Sequence, residues 1–232
     1  MCMDFSYLDK NIAEVRAQID RARAEAGRTD EVTLIAAVKS GEVGEINYLH
    51  KSLGINDIGE NRVQQLLERY EAYDREGLRI HFIGHLQTNK VKYIIDKVHM
   101  IHSLDSERLA AEIDRQAEKC GIVMNVLVEI NSGREPNKDG VMPEDAASLC
   151  LALRQYPHIK LCGFMTMAPV CEEKAEYRKY FDEISALAVD IWTKTLHNIG
   201  SPILSMGMSG SFEQAIASGA TAVRVVRRLF EK

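Results

Sequence analysis

Short apolar runs recur along the chain, and a longer amphipathic stretch follows nearly every one. Eight runs have strand length: residues 33–38, 56–58, 79–83, 99–104, 124–130, 159–165, 203–206 and 222–226. The second is the weakest, with only Ile55 and Ile58 among polar neighbours. The others carry the Val, Ile, Leu and Phe of buried strands. Helical patterning fills the intervals. Residues 62–73 place Val63, Leu66, Leu67 and Tyr70 on one stripe. Residues 106–120 follow a cap at Asp105 or Ser106 and stop at Gly121. Residues 143–156 open on a proline and end before Pro157, and residues 172–197 give the longest helix. Ser211 with Gln214 predicts a capping box over a short helix at 212–218, closed by Gly219.

Strand–helix alternation of this kind predicts a parallel sheet covered by helices. Eight units fit a closed (β/α)8 TIM barrel, as one domain over residues 1–232. The rival is an open doubly wound sheet, but its Gly-rich turn after the first strand is missing. An extra N-terminal helix at 7–26 precedes the first strand, and the chain stops just after the eighth. The leading helix is therefore expected to cover the place of a last one.

The net charge of −5 excludes a broadly basic nucleic-acid face. Five cysteines (Cys2, Cys120, Cys150, Cys162 and Cys171) form no C-x-x-C pair. They are expected to be small buried hydrophobes in a reducing, cytoplasmic setting. Residues 1–10 lack the apolar run of a signal peptide, and no stretch has the length of a membrane span.

In barrels the chemistry lies at the C-terminal ends of the strands. Lys39 follows the first strand directly. It faces either solvent, as an ordinary surface lysine, or the barrel mouth, where low polarity would free its amine for imine formation. Ser205-Met206-Gly207-Met208-Ser209-Gly210-Ser211 follows strand seven, and Arg224-Val225-Val226-Arg227-Arg228 ends strand eight. A small-residue turn and an arginine cluster at these two places suit a phosphate. Each alone also suits a plain turn or a solvated tail. His81 with His85, and His99 with His102, show no acidic or thiol partner at ligand spacing, so no metal is expected. Met165, Met167, Met206 and Met208 are expected to be packing residues. An amine facing a phosphate site fits an aldehyde with a phosphate tail: pyridoxal 5'-phosphate, or a phosphosugar in an aldolase.

Several runs carry a resemblance: Gly59-Glu60-Asn61-Arg62-Val63-Gln64, His81-Phe82-Ile83-Gly84-His85-Leu86-Gln87, Asn131-Ser132-Gly133, Gly163-Phe164-Met165-Thr166-Met167 and Leu204-Ser205-Met206-Gly207-Met208-Ser209. In this order they resemble the pyridoxal phosphate homeostasis protein family, related to the N-terminal barrel of alanine racemase. The resemblance implies that Lys39 holds pyridoxal 5'-phosphate as a Schiff base. It implies that Ser209 and the backbone N–H groups of Val226 and Arg227 bind the phosphate. Arg224 would face the pyridine nitrogen, and Asn61 and Met165 would line the ring. It also implies a carrier without settled enzyme activity, a monomer or weak dimer that passes the cofactor to apoenzymes. The alternative is a weak pyridoxal-phosphate-dependent racemase or lyase, and a third is a scaffold that has lost the cofactor. Two places depart from the family. Ser-Lys-Thr-x-Pro is replaced by Val38-Lys39-Ser40-Gly41-Glu42, and Arg-Ile-Gly by Arg224-Val225-Val226. The valine is expected to narrow the approach to the phosphate.

Overall fold

The computed structural model describes residues 4–197 and 200–232. Eight parallel strands close into a barrel in chain order. They are β1 (Thr33–Ala37), β2 (Asp57–Glu60), β3 (Arg79–Phe82), β4 (Met100–Leu104), β5 (Met124–Ile130), β6 (Ile159–Thr166), β7 (Ile203–Ser205) and β8 (Ala222–Val225). Pairing of β1 with both β2 and β8 completes the closure, with Ile35 opposite Arg224. The predicted barrel is thus formed, and the open sheet is not.

Side chains alternate across each strand. One set faces the helices: Ala36, Val38, Ile58, Phe82, Ile101, Val126, Val128, Phe164, Leu204 and Val223 join a single apolar cluster with the helical residues. Burial of each large side chain there stabilises the fold by about 1.5–3 kcal/mol. The other set fills the barrel. Gly59 lies against Ile35 and Ile83, and Met100, Leu127 and Met165 form a separate cluster. Gly163, at φ +153°, sits where an added Cβ would fall 2.1 Å from the Ile203 carbonyl oxygen. Only glycine lets β6 approach β7 so closely there.

The helices are α1 (Ser6–Glu25), α2 (Val43–Lys51), α3 (Val63–Arg69), α4 (Val91–Ile94), α5 (Glu107–Cys120), α6 (Ala146–Ala152), α7 (Tyr177–Asp190), α8 (Phe212–Ala217) and α9 (Arg227–Phe230). Helix α5 follows expectation: Ser106 Oγ accepts from the Leu109 N–H, and Gly121 closes it at φ +64°. Other boundaries need correction. β2 lies further along than 56–58, because Gly59 and Glu60 continue the ladder without an apolar signature. The helix foreseen at 62–73 ends in a 3-10 turn, Tyr70–Ala72. The stretch at 143–156 is α6 between two 3-10 turns, Pro143–Asp145 and Leu153–Gln155. The long helix begins with the 3-10 turn Lys174–Glu176 and closes in a π turn, Ile191–Thr195. The Ser211 capping box does not form, since Ser211 Oγ accepts instead from the Met208 N–H at 3.2 Å.

The chain does not stop at β8 but makes the short helix α9. Helix α1 packs against α8 and α9. Asn11 Nδ2 donates to the carbonyls of Leu229 (3.1 Å) and Glu231 (2.8 Å). The leading helix thereby covers the flank beside β8, as its pattern suggested. Among the described residues Cys150 alone fits the expectation of a buried thiol, pushed up to about 12 by burial. Cys120 is exposed, and Cys162 and Cys171 are half-buried. Cys2 lies outside the described residues. No helix among the described residues is long and apolar enough to cross a membrane.

Candidate functional site

Lys39 opens the turn after β1. It shares strand parity with Ile35 and Ala37, the barrel-facing positions. Its turn is fastened from several sides. Val38 N–H donates to the Gly59 carbonyl at 3.0 Å. Gln65 Nε2 donates to the Lys39 carbonyl and Arg69 Nη1 to the Val38 carbonyl, each at 3.1 Å. Of the two settings its position allows, the structure shows the solvent-exposed one for Lys39. Asn61 stands at the end of β2 beside it. Gly84 lets the chain pass close, since a Cβ there would fall 2.2 Å from the Asn61 carbonyl oxygen. The Asn61 side-chain oxygen is buried without a hydrogen-bond partner.

The two elements whose residue pattern suits a phosphate also converge. Val226 N–H donates to Ser209 Oγ at 3.1 Å, and Arg224 N–H donates to the Gly207 carbonyl at 3.1 Å. Val226 has φ −118°, so a side chain is accommodated without a left-handed backbone. The Arg227 side chain is exposed. The β1–β8 register sets Ala36 opposite Val225, which places Lys39 and Val226 beyond neighbouring strand ends. Met165 lies deeper, 1% exposed and opposite Ser205.

Beneath the mouth, Arg224 is buried at 3% exposure. Burial lowers it to about 10, and Glu129 opposes that shift; it remains a cation at neutral pH. Its Nη1 donates to the Ser205 carbonyl and Oγ, each at 2.7 Å, and its Nη2 to the Thr166 carbonyl at 2.9 Å. From Ser205 a hydrogen-bonded chain crosses the barrel. Ser205 Oγ meets His102 Nδ1 at 3.1 Å, and His102 Nε2 meets His81 Nδ1 at 2.9 Å. His81 Nε2 meets Asp57 Oδ1 at 2.9 Å, and Arg79 Nε meets the same oxygen at 2.7 Å. Burial holds His102 well below the usual histidine range, helped by His81, Arg224 and His99. Asp57 is lowered to about 2: burial opposes ionisation, and the His81 and Arg79 hydrogen bonds outweigh it.

The Asp57 contact fixes one proton: the ionised carboxylate only accepts, so His81 donates to it from Nε2.

Sequence spacing missed this chain. His81 pairs with His102 on the next strand, not with His85. The available signal was a polar residue at a barrel-facing position within an apolar run, as at Asp57, His102, Glu129 and Ser205. His85 lies instead at the mouth, with Nδ1 3.0 Å from Asp139. The expectation that it has no acidic neighbour is corrected: ligand atoms of His85, Asp105 and Asp139 all lie within 4.8 Å of one another. The packing expectation for the methionines is half met. Met165 and Met206 are buried, whereas Met167 and Met208 are exposed at the rim.

The alanine racemase N-terminal domain family matches residues 11–225. The pyridoxal phosphate homeostasis protein of Aquifex aeolicus is 40% identical, over 95% of this chain and 96% of its own length. That of Pseudomonas aeruginosa is 34% identical, over 97% and 95%. PipY of Synechococcus elongatus, solved with PLP bound, superposes with a TM-score of 0.83 at 28% identity, over 97% of this chain and all of that one. The chain belongs to the pyridoxal phosphate homeostasis protein family, built on the alanine racemase N-terminal domain.

Proposed function

We propose that this barrel holds pyridoxal 5'-phosphate on Lys39, limits its free aldehyde and hands it to apoenzymes. The observation that carries this is the meeting of Ser209 Oγ and the Val226 N–H, 3.1 Å apart, above a buried Arg224. The residues fit the group. Lys39 offers an amine at the neighbouring strand end. Ser209, with the backbone N–H groups of Val226 and Arg227, offers donors for a phosphate. Asn61 brings a side chain whose oxygen has no protein partner, and Met165 lies in the layer below.

When bound, the cofactor supplies an aldehyde for an amine and a ring that can withdraw electrons. Arg224 sets how far the ring can do so. Its guanidinium keeps its own protons at neutral pH, so it would offer the ring a hydrogen-bond donor and no proton. The Ser205–His102–His81–Asp57 chain fixes the angle of that guanidinium. A poor electron sink favours holding the cofactor over carbanion chemistry. The whole of residues 1–232 serves as one cofactor domain, a monomer or weak dimer. Thiols without pairing motifs favour the cytoplasm. A weak racemase is the second reading, favoured by the titratable carboxyl of Glu129 at the mouth. It predicts exchange of amino-acid α-protons with solvent that depends on Lys39.

Titration with pyridoxal 5'-phosphate tests the first reading. The wild-type protein should gain visible absorption to one equivalent, and Lys39→Ala should not. Equal spectra for the two proteins would refute it.

A further inference from the structure

A cavity of about 350 Å³ opens between the loop after β5 and the loop after β6. That is within the size range of small-molecule sites. A smaller cavity reaching Arg224, Gly207 and Ser211 shares the rim residues Met167, Pro169, Val170 and Met208 with it. The larger cavity therefore adjoins the cofactor mouth.

Its two walls differ in chemistry. One carries the carboxyls of Glu129, Glu135 and Asp139. The other is apolar, and its residues are unusually open: Val170 is 98% exposed, Met167 46% and Met208 39%. Glu129 is the deepest of the acids, only 5% exposed. It shares strand parity with Leu127, inside the barrel, and stands opposite Met165. Its side chain makes no hydrogen bond or ion pair among the described residues. A carboxyl this deep with no protein donor takes its hydrogen bonds from whatever occupies the cavity it lines.

We propose that this cavity binds a primary alkylammonium group on an aliphatic stem, as a lysine side chain presents it. The ammonium would meet Glu129, with Asp139 close by, and the stem would lie along Met167, Val170 and Met208. A metal ion suits the cavity less well, because it has no use for an apolar wall. In the carrier reading, on which the biological role of this site rests, the occupant is the lysine of a recipient protein.

Binding should be linked to a proton. Burial, with repulsion from Asp139 and Asp105, raises Glu129 to about 8, and Arg224 on β8 partly opposes this. His85, paired with Asp139, and Lys138 on the cavity wall complete the charged surroundings. Near pH 7 the carboxyl is mostly protonated. An ammonium ligand favours the carboxylate, so its arrival drives a proton into solvent. Affinity should rise with pH through about 8 and fall once the amine itself deprotonates, near its usual ~10.4.

The test uses the full chain prepared without cofactor, so its failure is distinct from failure of cofactor binding. Calorimetry at pH 7 in two buffers of different ionisation heat would compare N-acetyl-lysine amide, pentylamine and the uncharged N-acetyl-norleucine amide. Methyl shifts of Met167 and Met208 would locate the ligand. The lysine amide should bind with proton release, and the norleucine amide at least tenfold more weakly. Pentylamine binding equally well would mark a site for amines in general. Lysine amide binding alone would mark a polypeptide lysine. Glu129→Gln should lose at least tenfold in affinity together with the proton release. Asp139→Asn, at an exposed position, should reduce both and serves if the first variant fails to fold. Equal binding of the norleucine amide, no binding of any amine, or variants that keep both affinity and proton release would overturn the proposal.

Discussion

Ser205 and Ser209 lie four residues apart, one inside the barrel and one at its mouth. The Ser205 hydroxyl is fully buried and holds Arg224 on one side and His102 on the other. The Ser209 hydroxyl is half-buried and meets only the Val226 N–H. The same contrast separates the two regions as wholes. Polar groups along the interior chain are committed to one another, so removing one leaves its neighbours buried and unpaired. Groups at the mouth retain bonding capacity. Asn61 Oδ1 and the Glu129 carboxyl find no protein donor, and Lys39 is exposed. The interior should therefore govern stability and the mouth should govern binding.

The largest effect is expected from His102→Leu. It takes His102 from the Ser205 hydroxyl, which keeps Arg224, and leaves His81 Nδ1 without a partner, each loss costing about 1–3 kcal/mol. A loss of about 3 kcal/mol should appear in denaturant unfolding, and wild-type stability for this variant would dissolve the contrast. Acid comes next. Asp57 is lowered from 3.8 to about 2 in the fold, so its contribution is complete above pH ~4. It is lost as pH falls through about 2, when the folded protein also takes up the proton. The contribution is about 2 kcal/mol. Asp57→Asn should remove that part of the acid dependence of stability, and unchanged acid dependence would contradict the role given to this residue. Smaller still is Ser209→Ala, which should weaken pyridoxal 5'-phosphate binding about tenfold, or ~1.4 kcal/mol. Its unfolding free energy should stay within about 0.5 kcal/mol of wild type. Lys39→Ala should barely change stability while abolishing covalent attachment of the cofactor.

The regions differ in legibility for the same reason. Strands such as residues 124–130 stood out because burial on both faces gives a dense apolar run. The proposed phosphate loops stand out because small residues and arginines cluster locally. What escaped depends on contacts between distant segments. His81 and His102 meet only because β3 and β4 are neighbours. Helix α2 went unnoticed because its capping box is built from Glu42 and Glu45, without the usual serine or threonine. The Ser211 signal misled because a turn N–H, that of Met208, competes for the hydroxyl. The Val226 N–H contact with Ser209 likewise joins distant segments, and its valine side chain gives no sign of it in the sequence.

The most direct measurement is borohydride reduction of the protein loaded with pyridoxal 5'-phosphate, followed by peptide mass mapping. One cofactor should be fixed per chain, on the peptide containing Lys39, and none on Lys39→Ala. Fixation spread over other lysines, or undiminished in that variant, would contradict it.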